Sequence, residues 1–149
     1  MSAIQIFFED IHPVKIKKNY LKTKVKELIA GESGKIGDIS VIFCSDKYLY
    51  DINVKYLNHQ FYTDIVTFDY VENDLISGDL FISLDRVKEN AKNFEVEFIV
   101  ELTRVVFHGI LHLVGYKDKE EDDKVTMRKK EEFYLKEVDF SKLGYDTKI

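Results

Sequence analysis

The stretch FIVELTRVVFHGILHLVGYKD, from Phe98 to Asp118, is a nearly continuous apolar run that still carries two histidines and an aspartate towards its end. Apolar residues occupy almost every face of the helix that this pattern predicts between Glu95 and Val114. A helix of that kind has to be buried, so the rest of the chain must pack around it. The charged and imidazole side chains within the run argue against a membrane span.

The remainder of the chain alternates between strand-like and helix-like patterns. Apolar residues alternate or run together in four segments, which predicts strands at residues 4–9, 36–44, 64–71 and 77–83. Helical spacing follows Pro13, Ser45 and Ser83, and an acidic and then basic run after Glu120 suits the start of a last helix. The order β-α-β-α-β-β-α-α-α predicts an α+β fold with a small mixed four-stranded sheet and helices packed on it.

Chain length and composition fit one domain, and we expect residues 1–149 to form it. With 149 residues, 45% of them hydrophobic, the chain can bury a core without disulfides. Its net charge of −5 excludes a polycation that coats nucleic acid, so an RNA partner would need a local basic patch. The single cysteine, Cys44, fits a reducing compartment, and the first residues lack a signal-peptide pattern. We expect a cytoplasmic protein without a membrane partner.

Four polar side chains on the buried helix share one face. They are Glu101, Arg104, His108 and His112, at offsets of three, four and four residues. Burying such groups without partners costs about 1 to 3 kcal/mol each. These four side chains must therefore line a cleft, bind an ion or pair with one another.

The end of this helix has the spacing of a metal site, HxxxHxxGxxD. His108 and His112, one helical turn apart, can hold one ion, and Gly115 can end the helix so that Asp118 turns back towards it. Zinc accepts imidazole nitrogen and carboxylate oxygen, and three protein ligands leave a position open, as in catalytic zinc sites. We predict one zinc ion per chain on these three residues, at the end of the buried helix. Two ordinary core histidines are the alternative.

Metal-assisted hydrolysis is the reaction class that such a site favours. The spacing is similar to that of zinc peptidases with the pattern HExxHxxGxxH, which need a glutamate after the first histidine as general base. Gly109 occupies that position here. A metallopeptidase is therefore a disfavoured alternative, and the sequence indicates no catalytic residue beyond the metal site.

HGILHLVGYKD resembles HGxLHLxGYDH, the signature of the YbeY family of endoribonucleases, small bacterial metalloproteins of ribosomal RNA maturation. A second block, INVKYLNHQFYTDIVTF, is similar to the family's LNxxYRxxDxPTDVLSF, and SGDLFIS resembles its LGDIxIS. The blocks follow one another in the same order. By motif, the resemblance covers residues 52–118.

The resemblance implies a zinc-dependent, single-strand-specific endoribonuclease that matures the 3′ end of small-subunit ribosomal RNA and acts in late ribosome quality control. Its partners would be single-stranded ribosomal RNA and the small ribosomal subunit, with no DNA partner. Carried over by position, the metal ligands are His108, His112 and Asp118. Two positions depart from the family pattern: the third ligand, usually histidine, is Asp118, and the arginine after Tyr56 is Leu57.

Four further residues are candidates for the substrate cleft. Thr63 and Asp64 match the second block, and we expect them to form the cleft wall. Arg104 could reach a phosphate, although a structural pair with Glu101 is the favoured interpretation. Arg86 belongs to a basic face on the helix before the buried one.

Other basic and aromatic residues allow a structural or an RNA-binding interpretation. A lysine-rich face on the first helix could follow a phosphate backbone, but we favour a solvated face; its members are Lys15, Lys17, Lys18, Lys22, Lys24 and Lys26. Tyr56, Phe61 and Tyr62 could stack on unpaired bases, but we expect them to pack in the core. A rival function is a non-catalytic ribosome-assembly factor with a structural metal, which Leu57 and the acidic net charge favour.

Overall fold

The structure, a computed structural model, describes residues 3–144 and contains one four-stranded sheet. Its strands are β1 (Ile4–Phe8), β2 (Lys35–Cys44), β3 (Ile65–Asp69) and β4 (Leu75–Ser83). Its helices are α1 (Lys18–Gly31), α2 (Asp46–Leu57), α3 (Leu84–Asn93), α4 (Phe98–Val114), α5 (Glu121–Leu135) and α6 (Phe140–Leu143). The predicted α+β fold with a mixed four-stranded sheet is confirmed.

The sheet has the strand order β1-β2-β4-β3. β1 and β2, which α1 connects, run parallel, and β4 runs parallel to β2. β3, which follows α2 at the edge of the sheet, runs antiparallel to β4 because a short turn joins the two. The short turn at 70–74 joins these two strands, and Asn73 takes a left-handed conformation within it, with φ at 58°. The antiparallel pair places the start of β3 beside the end of β4, so that Ile65 lies opposite Ile82.

The buried helix α4 is the centre of the molecule. It contacts α1, α3 and α5 and lies against β3 and β4. Gly109 lets α4 lie close to the sheet, since a Cβ there would lie 2.7 Å from Cδ1 of Ile65 and 2.9 Å from Cδ1 of Leu80. No helix within residues 3–144 combines the length and the apolar character needed to cross a membrane.

Two predicted helix starts are wrong. α1 begins at Lys18 and not directly after Pro13, because the backbone before it pairs with α6: the Lys17 N–H donates to the carbonyl of Leu143 at 2.6 Å. α4 begins at Phe98 and not at Glu95, since Glu95 has a left-handed φ of 56° that interrupts the helix. α6 itself was not predicted from the sequence.

Candidate metal centre

Two histidines in the last turns of α4 and one aspartate beyond it form a group that could bind a metal ion. The ring centroids of His108 and His112 are 4.7 Å apart, and Nε2 of His108 is 3.4 Å from Oδ2 of Asp118. One ligand atom from each of the three residues lies within 4.8 Å of the other two. Two imidazole nitrogens and one carboxylate oxygen fit a zinc ion with an open coordination position. We call this group the metal centre.

Gly115 brings Asp118 to the metal centre. It ends α4 with φ at 123° and ψ at 1°, and its N–H donates to the carbonyls of Leu111 and His112. A Cβ at this position would meet nothing within 4 Å, so the backbone conformation, and not lack of space, favours glycine here. The predicted helix end at Gly115 is confirmed.

Glu131, on α5, orients the first histidine of the metal centre. Its side chain is 2% exposed, and its Oε2 accepts a hydrogen bond from Nδ1 of His108 at 2.6 Å. A proton on Nδ1 leaves Nε2 of the same ring as the free ligand atom. A carboxylate behind a metal-binding histidine commonly fixes the ring and its tautomer. Sequence reasoning missed Glu131, because it lies on a different helix in a charge-rich segment.

Arg104 joins this carboxylate to a second one. Its Nη1 donates to Oε1 of Glu131 at 3.0 Å, and its Nε and Nη2 donate to Glu101 at 2.9 and 2.5 Å. Burial alone would lower the pKa of the guanidinium, but hydrogen bonds and attraction to both carboxylates raise that pKa above its ordinary value. The favoured interpretation, a structural pair of Arg104 with Glu101, agrees with these contacts.

The charges around Glu131 and His112 suit metal binding. Burial alone would raise the pKa of Glu131, but its hydrogen bond with His108 and the charge of Arg104 hold that pKa below its ordinary value. Glu131 is therefore a carboxylate at neutral pH. Burial, followed by repulsion from His108, lowers the pKa of His112, which keeps its imidazole neutral and available to a cation.

A second hydrogen-bonded cluster holds the loop that carries Asp118. Glu32, at the end of α1, accepts hydrogen bonds from the hydroxyl of Tyr116 at 2.5 Å and from the hydroxyl of Tyr134. The ammonium of Lys130 donates to the same carboxylate at 3.2 Å. These bonds tie the loop after α4 to both α1 and α5. No spacing pattern in the sequence links Glu32 to this loop.

Two open clefts meet at the metal centre. The first, which we call the α5 cleft, has a volume of about 580 Å³ and is lined on one side by Lys124, Arg128 and Lys129. The second, the loop cleft, has a volume of about 560 Å³ and includes Leu57, His59, Phe61, Thr63 and Lys119. Asp64, His108 and Asp118 line both clefts. The metal centre is therefore reachable from two sides.

The structure brings three of the four candidate substrate residues to these clefts. Thr63 lines the loop cleft, Asp64 lines both clefts, and Arg104 lines the α5 cleft while bound to its carboxylates. Among the described residues, Arg86 does not line either cleft. Its Nε and Nη2 donate to the carboxylate of Asp46 at 3.0 and 3.3 Å.

The expectation that Tyr56, Phe61 and Tyr62 pack in the core is wrong. Their exposed fractions are 56%, 53% and 53%. All three lie at the end of α2 or in the loop before β3, where the chain runs along the surface. The lysines of the first-helix face are exposed or half-buried, as a solvated face requires.

Comparisons with known proteins agree on one family. The family model described as endoribonuclease YbeY matches residues 6–139. A Parabacteroides distasonis protein named endoribonuclease YbeY is 46% identical over 87% of this chain and 91% of its own length. A Flavobacterium johnsoniae protein of the same name is 53% identical over 70% of this chain and 76% of its own length.

The solved structures include a similar fold. The solution structure of a Thermotoga maritima protein superposes with a TM-score of 0.65 at 31% identity, covering 91% of this chain and 88% of its own. The match of the family model extends far beyond the histidine motif, to the first strand and the end of α5. The chain belongs to the YbeY endoribonuclease family.

Proposed function

We propose that this protein is a zinc-dependent endoribonuclease that hydrolyses single-stranded RNA at the metal centre. The observation that carries the proposal is the position of His108, His112 and Asp118 at the junction of two open clefts. A chain can enter by one cleft and leave by the other, which suits cleavage within a strand. The family match supports RNA as the substrate.

The donor set supports one zinc ion per chain. When bound, zinc supplies a Lewis acid and lowers the pKa of a coordinated water towards neutrality. Within the protein, Glu131 holds the His108 ring by its Nδ1–H, and Arg104 keeps the Glu131 carboxylate in place. The exposed cations Lys124, Arg128 and Lys129 stand along the α5 cleft, where they can attract the phosphates of the substrate.

The identity of the RNA substrate is inferred from the family match. We propose that the substrate is ribosomal RNA of the small subunit, cleaved at its 3′ end during late maturation and quality control in the cytoplasm. The net charge of −5 leaves only local basic surfaces for this RNA, and the wall of the α5 cleft is one of them.

Two alternatives receive less support from the site. A non-catalytic assembly factor would hold its metal only for its fold, but this metal centre opens into two clefts and offers three ligands. A metallopeptidase of the HExxH kind would need a glutamate at Gly109. Among the described residues Gly109 lines neither cleft, and a Cβ there would lie 2.7 Å from Cδ1 of Ile65 and 2.9 Å from Cδ1 of Leu80, so this position does not supply the base of such a peptidase.

The test combines metal analysis with cleavage of a labelled single-stranded RNA by wild type, metal-stripped wild type, His112→Ala and Asp118→Ala. His12→Ala serves as the matched control, because His12 is an exposed histidine outside the metal centre. We expect the wild type and the control to hold about one zinc and to cut RNA, and the other proteins to do neither. A wild type that holds zinc but never cuts RNA would instead be an assembly factor.

A further inference from the structure

An exposed pair of aromatic rings lies in the cleft that leads to the metal centre. The rings of His59 and Phe61 stack with their centroids 5.1 Å apart and their planes at 19°. Phe61 is 53% exposed, and both residues line the loop cleft together with His108, His112 and Asp118. A phenylalanine left half in water forgoes much of the free energy that its burial would supply. Beyond its contact with His59, Phe61 therefore keeps a large ring surface open to this cleft.

A buried amide holds the pair in place. Asn58 takes a left-handed conformation, with φ at 55°, and ends α2; the N–H of His59 then donates to the carbonyl of Asn53 at 3.1 Å. Nδ2 of Asn53 donates to the carbonyl of Phe61 at 3.0 Å. Asn53 is only 1% exposed. The backbone that presents the two rings is thus fixed before any ligand arrives, which reduces the entropy lost on binding.

The two exposed tyrosines nearby are engaged differently. The ring of Tyr62 lies 4.5 Å from that of Tyr50 and beneath the guanidinium of Arg86 at 5.3 Å. The ring of Tyr56 meets Phe68 edge to face, with centroids 5.9 Å apart. Within residues 3–144, neither tyrosine lines the loop cleft. The His59 and Phe61 pair is therefore the aromatic surface that faces a substrate at the metal centre.

We propose that His59 and Phe61 form a stacking site for one unpaired nucleobase of the RNA, beside the phosphate that is cut. The inference rests on the proposed function. Every nucleobase offers a flat π face to an aromatic ring, whereas bases inside a duplex have both faces covered, so this site selects single strands. The volume of about 560 Å³ lies within the usual range of about 300 to 1,000 Å³ for small-ligand sites. Lys119, in the same cleft, supplies a cation for an adjoining phosphate.

The first experiment measures binding of a fluorescently labelled, unstructured RNA to metal-stripped protein, which binds without cutting. Phe61→Ala should weaken binding roughly 5- to 150-fold, the loss expected for one base stacked on an aromatic ring. Phe61→Trp should retain binding, because indole offers a larger stacking face. Phe94→Ala is the matched control, since Phe94 is 54% exposed and lies at the end of α3, and it should bind like the wild type.

A second measurement tests for a base and not merely for RNA. The ligands are a series of RNAs, each of which lacks one base at a different position along the strand. Removing the base that stacks on Phe61 should weaken binding to the wild type but not to Phe61→Ala, and removing the other bases should not show this difference. The chain contains no tryptophan, so the emission of Phe61→Trp reports on this site alone and should be quenched by RNA, whereas that of Phe94→Trp should not.

The outcomes separate this inference from the proposed function. If the wild type binds single-stranded RNA and Phe61→Ala binds it equally well, with no abasic position that couples to Phe61, the stacking site is wrong while the endoribonuclease proposal stands. If the metal-stripped wild type binds no single-stranded RNA, the stacking site is wrong, and RNA cleavage by the zinc-loaded protein then decides the endoribonuclease proposal separately. Weaker binding by Phe61→Ala together with retained binding by Phe61→Trp supports the stacking site.

Discussion

The Glu131 carboxylate accepts a hydrogen bond from Nδ1 of His108 at 2.6 Å, while Nε2 of the same ring lies 3.4 Å from Oδ2 of Asp118. α5 thus orients the metal centre without adding to its ligand group. Because Arg104 bonds the other oxygen of Glu131 at 3.0 Å, the carboxylate cannot rotate away without losing an ion pair. The hydrogen bond to Glu131 therefore fixes the orientation of the His108 ring within the protein itself.

We expect Glu131→Gln to lower zinc affinity by about 10- to 100-fold, because the amide is a weaker acceptor than the carboxylate and no longer sets the orientation of His108 as firmly. A chelator competition titration measures this change. Glu132→Gln is the matched control, since Glu132 is its exposed neighbour on α5. Equal zinc affinities for the two variants would contradict the orienting role of Glu131.

The left-handed end of α4 at Gly115 leads to the second prediction. An alanine at φ near 123° is strained, so Gly115→Ala should lower the free energy of unfolding by more than about 1 kcal/mol and displace the turn to Asp118. We expect zinc affinity to fall together with stability, as measured by urea unfolding of the metal-free protein and by zinc titration. A loss of stability with unchanged zinc affinity would show that the placement of Asp118 does not depend on this turn.

The ligand group could be predicted from the sequence because it is local. His108 and His112 are one turn apart on a single helix, and the glycine that ends the helix brings Asp118 back within a few residues. Glu131 could not be predicted, since it is 23 residues away from His108 and no periodic pattern joins the two helices. Glu32 is 84 residues away from Tyr116, and only the packing of α1 brings them together.

The fold shows the same division between local and distant causes. Strands and helices followed from residue periodicity, and the capping serines Ser45 and Ser83 marked where α2 and α3 begin. The start of α1 depends instead on the pairing of Lys17 with Leu143, near the other end of the chain. Phe61 has an apolar side chain that is typical of a core residue, and only the tertiary structure places it in an open cleft.

The cluster around Glu32 predicts a change in the pH dependence of stability. Burial alone would raise the pKa of Glu32, but hydrogen bonds from Tyr116, Tyr134 and Lys130 outweigh it and hold that pKa below the ordinary value of 4.5. A carboxyl whose pKa is lower in the folded than in the unfolded protein stabilises the folded state, and this contribution is complete at pH values above the ordinary pKa. That contribution is lost as the pH falls through the lower, folded-state value.

We therefore expect Glu32→Gln to lower the free energy of unfolding at pH 7 by about 1.5 to 3 kcal/mol, the range for hydrogen bonds to a charged group. The difference from wild type should begin to shrink as the pH falls below 4.5, because the carboxyl of the unfolded wild type is then protonated while that of the folded protein is still charged. Urea unfolding at about pH 7, 5 and 3.5 measures the difference in the free energy of unfolding at two points above the ordinary pKa and one below it. Glu137→Gln, an exposed control, should follow the wild type, and a constant Glu32→Gln deficit at all three pH values would contradict the linkage.

Leu57 gives the last prediction, because it occupies the position at which the resembling family motif has arginine. It is 38% exposed at the end of α2 and lines the loop cleft with Lys119. An arginine there would add a cation beside the path proposed for RNA. Leu57→Arg should tighten binding of single-stranded RNA to the metal-stripped protein and steepen the fall of log K with log salt by about 0.7, the value for one added phosphate contact.

The control for Leu57→Arg has to carry the same added charge. Leu75→Arg does so at a position that is 43% exposed, at the start of β4, and that does not line either cleft among the described residues. Both variants move the net charge from −5 to −4, so a general electrostatic effect changes both equally. A steeper salt slope for Leu57→Arg alone places the phosphate path along the loop cleft. Equal slopes for the two variants would show that the RNA does not pass Leu57.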